Sequence, residues 1–335
     1  MKLAAAILVL LTHAGYWVGG HEQSVSLQWP IDHPMPDAIV RWELKLANVT
    51  LAADQIALSA RDAIATIRIA VPPVREHTEL RFVYRVLEAK GNRELTRGDI
   101  AVQVYADQLK SLASLSAGSS LLVVDDVDKL PALLKAAGAT FDRADNNLLT
   151  AKQKIILFGE NQLGDKDPAI EMLQALARGG ASVLVLKQTA AARVWKYEYS
   201  MRDVTGYTFA ADHPLLRHLP TEAWSTMLND PPRQPALSLP VGEPALAVIH
   251  SPVEAKTVSI APSDALLVTR TIGDGRLVFC QLPLNDAATD ARQQQLLVNL
   301  IEYARTRPQP TPSQAEAVSR TKQKLPSAVS EVYGR

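Results

Sequence analysis

Three uninterrupted apolar runs set the tightest limit on what this chain can fold into. Leu121-Leu122-Val123-Val124 ends in Asp125-Asp126, Lys154-Ile155-Ile156-Leu157-Phe158 ends in Gly159-Glu160-Asn161, and Ser182-Val183-Leu184-Val185-Leu186 ends in Lys187-Gln188. A strand that is apolar at every position must be covered on both faces, which parallel sheets achieve with crossover helices. The segments between the runs carry the matching helix signals. Lys129 to Gly138 has helical spacing and a glycine stop. Asp167-Pro168 opens a second helix with acid and proline where a first turn favours them. Its apolar stripe is Ile170, Leu173, Leu176 and Ala177, and it stops at Gly179-Gly180. Ala265–Arg270 and Arg276–Leu282 flank Ile272-Gly273-Asp274-Gly275, a hairpin signal. Asp290 to Arg305 reads as a closing helix with Leu296, Leu297, Leu300 and Ile301 on its apolar face.

The first hundred residues follow a different period. Ser24–Trp29, Val40–Leu46, Ala65–Val71, Leu80–Val86 and Ile100–Tyr105 alternate polar with apolar, as half-buried strands do. Gly91-Asn92 marks a turn between two of them. Short strands at this spacing predict a β-sandwich of immunoglobulin-like type. Residues 108 to 118 read as a short polar connection, and the proline-rich stretch from about Thr189 to Ala247 as an insertion or a set of long loops.

Length supports this division: 335 residues suggest about two domains. The expected fold is multidomain, an all-β immunoglobulin-like sandwich over 21–107 followed by an α/β domain over 115–305. The Pro/Ser/Lys-rich tail at 306–335 is expected to be unstructured. Residues 1–20 admit two readings. Lys2 followed by the apolar run Leu3–Leu11 resembles a secretory signal peptide, which implies a periplasmic or secreted protein. Alternatively Ala6–Leu11 is the first buried strand of a cytoplasmic fragment. The apolar run is too short to span a bilayer. Lys+Arg and Asp+Glu both number 35, so the excess positive charge that a nucleic-acid binder needs is missing. A single cysteine, Cys280, excludes an intrachain disulfide and a cysteine-based zinc cluster. Aromatic residues make up 5% of the chain, too few for an extended aromatic sugar-binding surface.

The stretch Lys154–Leu186, together with Asp212-His213-Pro214-Leu215-Leu216 and Gly273-Asp274-Gly275-Arg276-Leu277-Val278-Phe279-Cys280-Gln281-Leu282, carries a family resemblance. It resembles the flavodoxin-like, class I glutamine amidotransferase-like domain of carbohydrate-active enzymes, including the trimerisation domain of some β-galactosidases. The β-rich segment ending Val102-Gln103-Val104-Tyr105-Ala106 is similar to the sandwich that precedes it in certain bacterial proteins of glycoside hydrolase family two. The resemblance covers about residues 20 to 305. It implies a partner, either a glycoside hydrolase catalytic domain or further copies of the chain, and a role in carbohydrate degradation. In that family the catalytic glutamates lie in an upstream (β/α)₈ barrel of about 250 residues, for which this chain has no room.

Active class I amidotransferases place a cysteine nucleophile at a strand-to-helix elbow with a histidine base. Here Lys187-Gln188 follows the strand, and Cys280 falls inside a strand pattern, where a buried structural thiol is expected. No G-x-S-x-G elbow replaces it, so no catalytic residue is assigned. The seven histidines form neither H-x-x-x-H nor H-E-x-x-H, so no metal is assigned, and His213 is expected to pin its loop through a hydrogen bond. Gly179-Gly180 ends a helix instead of opening one, so no phosphate loop and no nucleotide cofactor is expected. The candidate ligand-binding residues are Asp125, Glu160, Asn161 and Gln188, at the strand ends where open α/β sheets hold ligands. The alternative for the carboxylates is structural, with Asp126 capping the helix that follows and Glu160 solvated. Two functions follow: a non-catalytic accessory module, or a small hydrolase or sugar-binding protein using these carboxylates.

Overall fold

The computed structural model describes residues 8–11, 15–28, 37–58, 64–91, 93–117, 121–144, 154–163, 168–189, 193–194, 197–203, 206–210, 212–219, 233–239, 245–250 and 263–306. It is mostly β, with several sheets. The tail beyond residue 306 and the Asp167 helix signal lie outside the described residues.

The alternating segments form two facing sheets. A three-stranded sheet contains β1 (Leu8–Leu11), β3 (Glu22–Gln28) and β6 (Ile64–Ala70) in the order β1-β3-β6. A five-stranded sheet contains β2 (Tyr16–Val18), β4 (Ala38–Leu46), β5 (Val49–Leu58), β7 (Thr78–Glu88) and β8 (Glu94–Tyr105) in the order β2-β8-β7-β4-β5. Val25, Leu27, Ile67 and Ile69 of one sheet share a core with Val40, Leu44, Phe82 and Val104 of the other. Trp17 and Trp42 are buried within it; Trp29 lies outside the described residues. The N-terminal run Leu8–Leu11 pairs antiparallel with Val25–Gln28.

The three continuous apolar runs become β9 (Leu121–Val124), β11 (Ile155–Phe158) and β12 (Ser182–Val185). With β10 (Asp142–Arg143) and β19 (Gly275–Cys280) they form a parallel array in the order β10-β9-β11-β12-β19. Both faces are covered, as the runs predict. Leu121, Val123, Ile155, Leu157 and Leu184 pack with α2 (Lys129–Ala136) and α4 (Ala291–Arg305). Their neighbours Leu122, Ile156, Phe158, Val183 and Val185 pack with Leu173, Leu176 and Ala177 of α3 (Pro168–Arg178) on the opposite face. Gly275 lets β19 lie against α3, because a Cβ there would sit 2.2 Å from the Ala177 carbonyl oxygen and 2.3 Å from that of Ala181.

Two expectations are corrected and one strand is added. Residues 108 to 118 are not a plain connection: α1 spans Lys110–Ser116. Leu109, Leu112 and Leu115, three apart, supply an apolar stripe that packs into the α4 face of the core. The stretch 189–247 is not simply loops. It contains β13 (Arg193–Val194), β14 (Tyr197–Asp203), β15 (Gly206–Phe209) and β16 (Arg233–Leu239), and leads into β17 (Ala247–His250). Through β18 (Ser263–Ile272) these strands extend the parallel array as an antiparallel wing. Finally, β5 was not foreseen, because it is an edge strand exposed along most of its length and has no burial period to read.

The sandwich and the α/β sheet meet at the start of α4. Asp290 is 1% exposed and Arg292 5%, and their side chains pair in two parallel hydrogen bonds, Nε to Oδ1 at 3.0 Å and Nη2 to Oδ2 at 2.7 Å. Asp290 Oδ1 also caps α4 by accepting from the Arg292 backbone N–H at 2.9 Å. The guanidinium lies over the Tyr16 ring at 4.8 Å, and Trp17 bridges to Asp290 through backbone. Gln23 donates to the Thr289 carbonyl, and the Gln108 N–H donates to Gln294 Oε1, across the same joint. At the far end of α4, Arg276 reaches up from β19, donating to the Tyr303 and Thr306 carbonyls at 2.8 and 2.7 Å.

Candidate functional site

The direction of the crossovers fixes where a ligand site belongs. From β9 the chain passes through α2 to β10 on one side, and from β11 it passes through α3 to β12 on the other. The loops after β9 and β11 therefore diverge, leaving a crevice at their carboxyl ends, the usual ligand position in open α/β sheets. A cavity of about 500 Å³ lies there, within the range of roughly 300–1,000 Å³ that small-molecule sites occupy. Val127, Leu130, Leu133, Leu186, Leu284 and Ala288 supply its apolar wall, and Asp125, Glu160, Asn161 and Gln162 its polar edge.

The structure brings Asp125, Glu160 and Asn161 together at this cavity and leaves Gln188 out of its lining. Asp125 is buried, and its carboxylate is turned on its own loop: Oδ1 accepts from the Val127 N–H at 3.1 Å and Oδ2 from the Leu130 N–H at 2.9 Å. The capping role expected of Asp126 thus belongs to Asp125, while the residue before α2, Asp128, has a left-handed backbone and makes no side-chain cap. The close fit depends on Gly159, where a Cβ would lie 2.9 Å from the Asp125 carboxyl carbon.

Glu160 is not simply solvated. Its Oε1 is cut off from solvent, with no hydrogen-bond donor reaching it among the described residues. Asn161 has φ +58°, a left-handed conformation that asparagine tolerates. Its Oδ1 accepts from both the N–H and the hydroxyl of Thr189, at 2.7 and 2.8 Å. Gln162, which sequence reasoning missed, ties the two loops together by accepting from the Asp126 N–H and donating to the Glu160 carbonyl.

Gln188 is 1% exposed. It accepts from the Leu163 N–H and donates to the Gly159 and Leu186 carbonyls. Its backbone exchanges hydrogen bonds with the Gln281 side chain, Gln188 N–H to Oε1 at 2.7 Å and Nε2 to the Gln188 carbonyl at 3.1 Å. Cys280, next to Gln281, is buried, and burial pushes its thiol up to about 12, with the Glu160 charge acting in the same direction. A thiol held in that state is a poor nucleophile at neutral pH. His213 pins its loop as expected, Nδ1 accepting from the Leu215 N–H. Among the described residues, no group of three or more His, Cys, Asp or Glu could hold a metal ion, and no helix is long and apolar enough to cross a membrane.

No family model matches the chain, and no curated protein matches it. Among solved structures it is similar to a domain of the outer membrane lipoprotein Omp28 from Porphyromonas gingivalis, at 11% identity and a TM-score of 0.22, covering 30% of this chain and 96% of that one. It is also similar to a family 76 glycoside hydrolase from a bovine Bacteroides thetaiotaomicron strain, at 7% identity and a TM-score of 0.23, covering 33% and 23%. A calcium-binding mutant of Bacteroides uniformis β-glucuronidase 2 matches at 10% identity and a TM-score of 0.21, covering 54% and 33%. The chain thus spans a third or less of either enzyme, and TM-scores this low carry no functional argument.

Proposed function

We propose that this chain is a non-catalytic accessory module of carbohydrate-degrading machinery. It joins an immunoglobulin-like sandwich, about 21–107, to a flavodoxin-like, class I glutamine amidotransferase-like domain, about 115–305. The module packs against, orients or oligomerises a glycoside hydrolase catalytic domain. Gln188 carries the reading. It stands just past β12, where the amidotransferase pattern needs an exposed cysteine elbow, and its amide is consumed by three hydrogen bonds that hold the strand ends together. The remaining thiol, Cys280, is buried. The interlocked joint at Asp290 and Arg292 suits a part that transmits orientation from one half to the other.

A small hydrolase or sugar-binding protein is the alternative, favoured by the placement of Asp125 and Glu160 at one cavity. The purified chain, incubated with 4-nitrophenyl glycosides and with L-glutamine, is expected to release neither nitrophenol nor ammonia above the buffer rate. Turnover that disappears in Glu160→Gln overturns the non-catalytic reading. The periplasmic or secreted location proposed from Leu3–Leu11 has its own check, the N-terminal mass of protein recovered from cells: cleavage after the apolar run removes β1 from its sheet.

A further inference from the structure

We propose that the cavity at the ends of β9 and β11 binds a small organic cation, an apolar body carrying one amino group, with the Glu160 carboxylate receiving the ammonium. Three observations lead there. The wall is apolar on the α2 side and along Leu186, Leu284 and Ala288, so the body of the ligand is apolar. Two backbone N–H groups that in this architecture would face an anion, Val127 in the loop and Leu130 in the first turn of α2, are already engaged by the Asp125 carboxylate. A phosphate or carboxylate ligand would meet that charge and that of Glu160, with only the exposed Lys129 of opposite sign in the lining. The nearby Arg143 is directed elsewhere, to Asp128 and the Asp125 carbonyl. Finally, Glu160 lines the polar edge; its Oε1 lacks a donor among the described residues and is shut off from solvent, so an ammonium in the cavity meets Oε2, and a carboxylate with an unpaired oxygen gains most from a charged N–H.

The site is independent of the accessory role proposed above, since binding without turnover leaves that role intact. The test is a series of three probes that share one apolar body: 2-naphthylmethylamine, 2-naphthylmethanol and 2-naphthoate, titrated calorimetrically into the full chain at pH 7. The amine is expected to bind about 10-fold tighter than the alcohol, and the naphthoate weakest. Glu160→Gln is expected to bring the amine to within about 3-fold of the alcohol while leaving the alcohol unchanged. Leu133→Trp, a substitution on a half-buried wall position, is expected to abolish binding of all three. Naphthoate binding as tightly as the amine, an amine preference that survives Glu160→Gln, or no saturable binding of any probe overturns the proposal. If Glu160→Gln does not fold, the wild-type ranking of amine over naphthoate and the Leu133→Trp loss still decide it.

Discussion

Replacing Asp290 by asparagine tests whether the joint between the two halves rests on charge or on shape. The introduced amide is the same size as the native carboxylate, and its oxygen can still cap α4 through the Arg292 N–H. What changes is the partner of a guanidinium that is 5% exposed. The oxygen that accepts from Arg292 Nη2 at 2.7 Å becomes either an amide donor facing a donor or a neutral acceptor. At an effective dielectric constant near 20, two unit charges about 4 Å apart attract by about 4 kcal/mol. Breaking one half of a buried pair generally costs about 3–5 kcal/mol, because the other half is stranded away from water. Asp290→Asn is therefore expected to lose about 3–4 kcal/mol in urea unfolding followed by far-ultraviolet circular dichroism. The double substitution Asp290→Asn with Arg292→Met is expected to recover at least about 1 kcal/mol of that loss, since the stranded cation is gone. A single variant within about 1 kcal/mol of wild type, or a double variant less stable than the single, refutes the reasoning.

Two further outcomes follow from close packing and from burial. Gly275→Ala forces a methyl to within 2.3 Å of two carbonyl oxygens on the α3 side, and β19 must move to admit it; a loss of at least about 3 kcal/mol in the same unfolding assay is expected. His213 is lowered to about 4, by burial first and by the Arg276 charge second. Folding therefore favours its neutral form: the stabilisation is complete above the unfolded value near 6.5 and fades as pH falls toward 4. Its imidazole should titrate at about 4 by NMR, and His213→Asn, which keeps a capping acceptor, should flatten the pH dependence of stability between about 6.5 and 4.

The sequence exposes what local periodicity encodes and hides what depends on distant partners. Leu121–Val124, Ile155–Phe158 and Ser182–Val185 are legible as doubly covered strands because their runs are apolar almost throughout, and their parallel pairing follows. β5 is hidden because it is an edge strand exposed over most of its length, with only Ala52, Ile56 and Leu58 meeting the core, so no regular alternation shows. β16 is hidden because Pro235 interrupts its run, although it pairs with β14 and β18 on either side. At the site, position along the chain is enough to bring Asp125, Glu160 and Asn161 to one edge. The sequence cannot show that Asp125 turns back on its own loop or that Gln188 points into the interior, because both depend on which backbone groups the fold leaves unpaired.

The Asp125 carboxylate also has a consequence for how the cavity behaves when empty. In many α/β proteins the N–H groups at the start of the first crossover helix are left for an anion to satisfy. Here the chain carries that counter-charge itself, packed against Gly159 and engaged with both Val127 and Leu130. Those N–H groups are therefore satisfied whether or not the cavity is occupied, and selectivity falls to the groups that remain unsatisfied across the crevice.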